Sequence, residues 1–396
     1  MRLVVALMLC VVGLSASTLQ TSTRAAPLPH DAYVWQRIWT PKVVAAAQRS
    51  AELVRSWRIL LAEADRSGHW SKASIPWGEL RAIGRPIIAV LRIDGRLDEE
   101  RMPALLGQAA AIVAGADGPL SGVEIDYDCP TSKLSTYARF LSGLRMRLPA
   151  SLELSITALP TWMNSADLER LVPPLDEVVL QVHAVDDPRR GLFNPTLAES
   201  RVRAFARRIG RPFRVALPAY DVRVTWSRDG GLASVEGEVP LLTGAAPGET
   251  LRAAPDAILA FLHAMQRAAP DNLIGIAWFR LPTDADRRAW SHETWRAVLT
   301  DRLPPARLSA SLVPAEAADL WTVTLSNDGA IDATVPRRVQ LDPACTLADG
   351  ANGFRLVDGA PLALEGSGTG RLRPHRTRVI GWARCTEPRR HLDAAP

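Results

Sequence analysis

Residues 121–130 read SGVEIDYDCP. Val123, Ile125 and Tyr127 alternate with Glu124, Asp126 and Asp128, the period-two pattern of a strand with one apolar face and one acidic face. Ionised carboxylates are costly to bury unless they are paired, protonated or wet. The acidic face must therefore look into a polar interior or an active site. Which of the two it is depends on the elements around this strand.

Working outward, the same sentence repeats from residue 32 to about 300: a short apolar run rich in β-formers, then an amphipathic helical stretch. The runs are AYVWQRIW (32–39), SWRILLAEA (56–64), PIIAVLRID (86–94), SGVEIDYD (121–128), SLELSITAL (151–159), LDEVVLQVHA (175–184), PFRVALPAY (212–220) and NLIGIAWFR (272–280). Between them lie stretches such as DEERMPALLGQAAAIVAG, SKLSTYARFLSGLRMRL, LAESRVRAFARRIG and APDAILAFLHAMQRA, with apolar residues three and four apart. Strict alternation implies parallel strands joined by right-handed crossovers, and eight such units close into an α/β (β/α)8 TIM barrel over residues 27–304. An open doubly wound sheet is the rival arrangement, but no glycine-rich phosphate loop follows the first run. After the seventh run, DVRVTWSRDGGLASVEGEVPLL alternates around RDGG and predicts a β-hairpin on the barrel rim.

Past residue 304 the rhythm changes. RLSASLVP, LWTVTLSNDG, TVPRRVQLD and RVIGWARC are short alternating strands with turn signals between them, so residues 305–396 predict a small all-β sandwich of immunoglobulin-like size. Its simplest role is a packing or spacer module.

The chain has 396 residues, 47% apolar and 22% charged, which excludes a disordered protein. Its net charge is +5, yet Lys occurs only at 42, 72 and 133 and the Arg residues are scattered, so no nucleic-acid partner is expected. MRLVVALMLCVVGLSAS has the basic start, apolar run and small residues of a secretory signal peptide, placed at residues 1–26. The protein is expected to be exported to the periplasm or beyond, and no other stretch is long enough to span a membrane. Cys10 leaves with that segment, because LML before it lacks the small residues of a lipid-anchor site. Export permits disulfides, and Cys345 and Cys385 share one module, so they are expected to pair. Cys129 is then a buried small hydrophobe, no Cys/His spacing suggests a metal, and no cofactor is expected.

In a barrel the outer strand face packs on helices while the inner face points into the interior and its mouth. Val123, Ile125 and Tyr127 suit the helices, so Glu124, Asp126 and Asp128 stack inward, with Asp128 nearest the carboxyl end where barrels place their chemistry. Stacked acids suppress one another's ionisation, which makes one of them a general acid. The alternative is that inward arginines such as Arg92 neutralise the stripe. The same parity adds Arg92 and Asp94 on the third strand, Gln181 and His183 on the sixth, Tyr220 on the seventh and Trp278 on the eighth. Acids, amides and an aromatic floor around one mouth suit a sugar.

SGVEIDYD resembles the fourth-strand signature of family 18 glycoside hydrolases, the chitinase-like barrels, written D-G-x-D-x-D-x-E. RIDG, LQVHA, ALPAYD and IAWF resemble that family's third-, sixth-, seventh- and eighth-strand motifs. More closely, EIDYDCP, SITALPTWM and LDEVVLQVH resemble the bacterial family called domain of unknown function 3142. The family 18 resemblance implies Asp128 as general acid, Asp126 as the group orienting a substrate acetamido, and Trp278 as the sugar floor. The sequence departs from it where Asp128 replaces a Glu, His183 replaces a Tyr and Ala184 replaces an acid, so N-acetyl specificity does not follow. The expectation is an exported glycoside hydrolase acting on a bacterial polysaccharide or cell-wall glycan. The alternatives are a barrel that binds glycan without cleaving it and a scaffold in envelope polysaccharide export.

Overall fold

Eight parallel strands close on themselves. They are β1 His30–Val34, β2 Ser56–Ala64, β3 Ile87–Ile93, β4 Leu120–Tyr127, β5 Glu153–Ala158, β6 Glu177–Gln181, β7 Phe213–Pro218 and β8 Leu273–Phe279. Each pairs with the next, and β1 pairs with both β8 and β2, which seals the barrel. All eight predicted runs thus become barrel strands. The computed structural model describes residues 27–95, 97–183, 191–227, 229, 231–236, 248–368 and 370–395, so the signal-peptide expectation lies outside the described residues. Among the described residues no helix is long and apolar enough to cross a membrane.

The helices follow from the spacing that predicts them. On the helix Leu134–Arg145, the buried residues Leu134, Tyr137, Ala138, Leu141 and Leu144 recur at three and four and face the barrel wall. They meet the apolar face of β4: Tyr127 and Tyr137 lie edge to face at 5.2 Å, and Val123 and Ile125 are fully covered. Starts are set chemically as well. The Asn194 side chain accepts from the Leu197 amide at 3.0 Å just before Pro195, which opens the helix Pro195–Arg208.

Register shows which residues share the inner face. Arg92 lies opposite Asp126, Glu124 opposite Ser155, and Ala277 opposite Ala216. The inner positions of β8 are therefore Gly275, Ala277 and Phe279, while Trp278 points outward. A Cβ on Gly275 would stand 2.6 Å from the Pro29 carbonyl and 2.0 Å from Arg214 Nη1, so backbone as well as the guanidinium crossing the barrel crowds this position and favours glycine.

The hairpin predicted after the seventh run forms between Val222–Trp226 and Leu232–Glu236, and Gly248–Leu251 adds a third strand on the other side of the first. Residues 237–242 of that prediction lie outside the described residues.

The C-terminal module is all β. Its eight main strands form one continuous antiparallel sheet running from Cys345–Gly350 through Thr377–Cys385 to Phe354–Val357. The two edge strands are neighbours in sequence and approach closely, since a Cβ on Gly350 would meet the Phe354 carbonyl at 2.2 Å. The sheet therefore curls almost into a barrel of its own, around a small core that includes Val323, Leu325, Val339, Leu364 and Ile380. Cys345 and Cys385 form the expected disulfide across adjacent strands. The module is bolted to the barrel by charge: Arg371 donates to both oxygens of Asp221 at 2.8 and 2.6 Å and to the Ala253 carbonyl at 2.8 Å. Asp332 adds a bond from the Ser291 amide at 2.7 Å.

Candidate functional site

The inner face of the barrel carries charge at two depths. The deeper layer is Asp31, Arg58, Glu124, Glu177 and Arg214, all buried. Arg58, fully covered, pairs with Glu124 and Glu177 and reaches Asp31 Oδ2 through Nη2 at 3.0 Å. Arg214 Nε lies 3.1 Å from Asp31 and 3.1 Å from Glu177. The Tyr33 hydroxyl donates to Glu124 at 2.6 Å and Ser155 to its other oxygen at 3.3 Å. Burial by itself would raise the Asp31 pKa, but Arg58, Arg214 and Arg55 together hold it below the usual range. For Glu124 burial prevails over Arg58 and the Tyr33 bond, and its pKa is raised. The three carboxylates here are each paired with a guanidinium and buried.

The shallower layer opens at the carboxyl ends of the strands. A cavity of about 140 Å³ is lined by Tyr33, Trp35, Arg92, Asp126, Asp128, Thr157, Gln181, His183, Ala216 and Phe279. An engineered cavity of about 150 Å³ holds benzene, so this one suits a single ring. A second hollow, of about 610 Å³, shares Arg92 and Asp128 with it and continues past Asp94, Asp98, Arg66, Arg101 and Pro130. Together they form a ring-sized pocket at the end of an open groove.

Asp126 sits at the floor. It accepts from Arg92 Nη1 at 3.0 Å and from Thr157 Oγ1 at 2.6 Å. Burial pushes its carboxyl pKa up, Arg92 opposes this, and the charge of Asp128 adds to the rise. Two positions further along, Asp128 is exposed at the mouth. Arg92 has its own charge reinforced: burial works against it, but Asp126, Asp128, Glu63 and Asp94 outweigh that. Its guanidinium lies 5.7 Å from the centre of the Trp35 ring, and Trp35 meets Phe279 edge to face at 5.1 Å. His183 completes the wall. Burial pulls its pKa down to about 4, so it is neutral at pH 7.

Of the residues singled out from the sequence, Asp126, Asp128, Arg92, Gln181 and His183 line the pocket, and Asp94 lines the adjoining groove. Three placements are corrected. Glu124 is no candidate for catalysis, because it is sealed beneath the pocket in the Arg58 cluster. Trp278 is no sugar floor: it is fully buried on the helix side against Trp290 and Trp295, and its Nε1 donates to His30 Nδ1 at 3.1 Å. Tyr220 is buried behind the pocket wall, edge-on to His183 and Phe279 and covered by Arg280 at 4.9 Å.

Tyr33, Trp35, Thr157 and Phe279 were missed. Asp31, Tyr33 and Trp35 alternate with Ala32 and Val34, and Ser155 and Thr157 alternate with Ile156, so both carried the signal that marks β4. Phe279 did not, because its inner-face neighbours Gly275 and Ala277 are small and give the strand no polar side. Among the described residues no three His, Cys, Asp or Glu gather as a metal site would require. Cys129 is buried, with its thiol pKa pushed up to about 12 by burial, and is inert.

Residues 83–284, about half of the chain, match the family described as domain of unknown function DUF3142, and the chain belongs to that family. Residues 310–386 match a second family, described as domain of unknown function DUF8456. No curated protein matches the sequence. Among solved structures, the barrel is similar to the spore cortex-lytic enzyme SleL of Bacillus cereus, with 12% identity and a TM-score of 0.53 over 71% of this chain and 75% of that one. SleL of Bacillus megaterium QM B1551 gives 13% and 0.52 over 72% and 76%. A class V chitinase from Pseudomonas fluorescens Pf-5 gives 10% and 0.50 over 70% and 100%. At such identities the likeness is one of fold alone, a closed barrel of eight parallel strands with helices outside.

Proposed function

We propose that this member of the DUF3142 family is a glycoside hydrolase that seats one sugar ring of a glycan in the Trp35/Phe279 pocket and lays the rest along the Asp94 groove. The observation that supports it most is the pairing of depth with chemistry on β4. Asp126 is buried with a raised pKa, and Asp128, two residues on, stands exposed beside it at the mouth of a ring-sized cavity. The charge of Asp128 adds to burial in raising the Asp126 pKa, which biases the buried member of the pair toward holding a proton.

Asp128 is the member that can reach a glycosidic oxygen in the groove. In this reading it gives its proton to that oxygen as the bond from the anomeric carbon breaks. Asp126, fixed by Arg92 and Thr157, faces the positive charge that develops on the ring. Water from the groove adds to the anomeric carbon and returns a proton to Asp128. The partly exposed Trp35, braced by Phe279, offers the apolar face on which a pyranose stacks.

Changing Asp128 to Asn keeps the shape and removes the proton. Release of reducing ends from bacterial cell-wall glycan or polysaccharide is expected to fall about 10²- to 10⁴-fold in this variant, with the melting temperature unchanged. Equal release by wild type and variant would rule out the assignment. Saturable glycan binding with no release by either protein would favour a binding barrel, for which the Arg92–Asp126 ion pair is the supporting feature.

A further inference from the structure

Behind the pocket, the barrel and the C-terminal module meet along one line of contacts. Phe279, part of the apolar wall, lies nearly parallel to His183, at 13° and 6.3 Å between centroids, and edge-on to Tyr220 at 5.8 Å. Tyr220 is in turn covered by Arg280, whose Nε donates to Asp286 Oδ2 at 2.8 Å. Tyr220, Arg280 and Asp286 form a second row that does not line the cavity. The backbone ties the two rows together. The Ala219 amide donates to the Phe279 carbonyl at 3.1 Å, the Trp290 amide to the Ala219 carbonyl at 2.9 Å and the Asp221 amide to the Arg288 carbonyl at 2.8 Å. The segment after β8 is thus fastened to the residues on either side of Tyr220.

What braces that segment comes from the other module. Arg373 donates through Nη2 to the Asp286 carbonyl at 2.7 Å and to the Thr283 carbonyl at 3.3 Å. Arg371, two residues earlier, grips both oxygens of Asp221, the residue after Tyr220. That pair is only 11% and 9% exposed, and its two parallel N–H···O bonds fix orientation as well as distance. A spacer has no need of such contacts at the back of a pocket.

We infer that the C-terminal module is a working part of the pocket: Arg371 and Arg373 are positioning residues that, through Asp221, Asp286 and Arg280, hold Tyr220 against the back of the Phe279–His183 wall. Neither arginine lines the cavity or the groove, so each acts through the rows in front of it. The consequence for sugar binding rests on the glycan reading of the site. Trp35 meets Phe279 edge to face at 5.1 Å, so a wall that shifts takes the stacking platform with it. A platform touches the ring before and during bond cleavage alike, and its displacement therefore weakens binding and spares the chemical step.

Arg373→Met keeps the stem and removes the donors, and hydrogen exchange on the full chain reads the wall directly. Exchange at residues 219–221 and 279–290 is expected to quicken about tenfold, while β3, on the opposite side of the barrel, stays as in wild type. KM for release of reducing ends from bacterial cell-wall glycan should rise about tenfold with kcat within about twofold. A bolt that served stability alone would lower the melting temperature and leave KM of the folded chain as it was. Arg373→Lys, which returns one charged donor, should recover part of both effects and stands in if the Met variant does not fold. Tyr220→Leu should raise KM alike, and adding Arg373→Met to it should add little, because both act on one wall. Unchanged exchange, unchanged KM in a folded variant, or full additivity of the two substitutions overturns the inference and leaves the glycan reading intact. No glycan release by wild type overturns the glycan reading instead, and the exchange result then decides the inference alone.

Discussion

Two layers of one barrel interior use the same residue types to opposite ends. Below, Asp31, Glu124 and Glu177 are buried and tied to Arg58 and Arg214. Above, Asp126 has one arginine and one hydroxyl, Asp128 is exposed, and His183 Nδ1 is buried without a partner among the described residues. Glu124 and Asp126 are two residues apart on one strand, about 7 Å along its axis. That step separates a carboxylate sealed in the Arg58 cluster from one that borders a cavity. Satisfied buried charge specifies structure, and incompletely satisfied charge beside a cavity waits for a ligand.

The sharpest way to break this contrast is Arg58→Met. It leaves Glu124, Glu177 and Asp31 with a lost partner in the sealed layer, and the stability lost on denaturant unfolding should be about 3–5 kcal/mol. Asp128→Asn in the open layer should change it by no more than about 0.5 kcal/mol. Similar losses for the two variants would erase the distinction between the layers.

A smaller effect concerns acid. The folded pKa of His183 is lowered to about 4 from 6.5, so between those values protons bind the unfolded chain in preference to the folded one. Stability from this group is complete above pH 6.5 and is lost as pH falls toward 4, by about 3 kcal/mol. His183→Phe should flatten that part of the stability curve relative to wild type. Parallel curves for the two proteins would show that the ring is solvated and titrates normally.

The smallest test is Thr157→Val. It removes the bond that lowers the Asp126 pKa while keeping the volume, at a stability cost of about 1 kcal/mol. The acid limb of the pH profile of kcat/KM should move to higher pH, since Asp126 must be ionised to face the charge that develops on the ring. An acid limb that does not move would show that the charge of Asp126 is not used in the reaction.

How much of this was legible in the sequence differs between fold and site. The strand-and-helix rhythm requires no tertiary information, because each apolar run must find a helix to cover it. Eight runs and their helices were therefore readable, and so was the β module that follows. The inward face of β4 was readable too, since acids and apolar residues alternate without a break. β8 was not: in LIGIAWF every residue is apolar or glycine, so alternation carries no sign, and the large Trp278 drew the assignment that belongs to Phe279. Tyr220 was misplaced for a related reason, since it follows the end of β7 and strand parity no longer governs where it points.

The sequence by itself determined that acids line one face of the fourth strand and that this face turns inward, because period-two alternation and the cost of burying charge are local facts. It could not say at what depth each acid would meet a guanidinium. Arg58 lies 66 residues from Glu124, and Arg214 lies 37 from Glu177. Only closure of the barrel brings such partners within hydrogen-bond distance, and closure alone decides which carboxylates are neutralised in the dark and which are left facing the mouth.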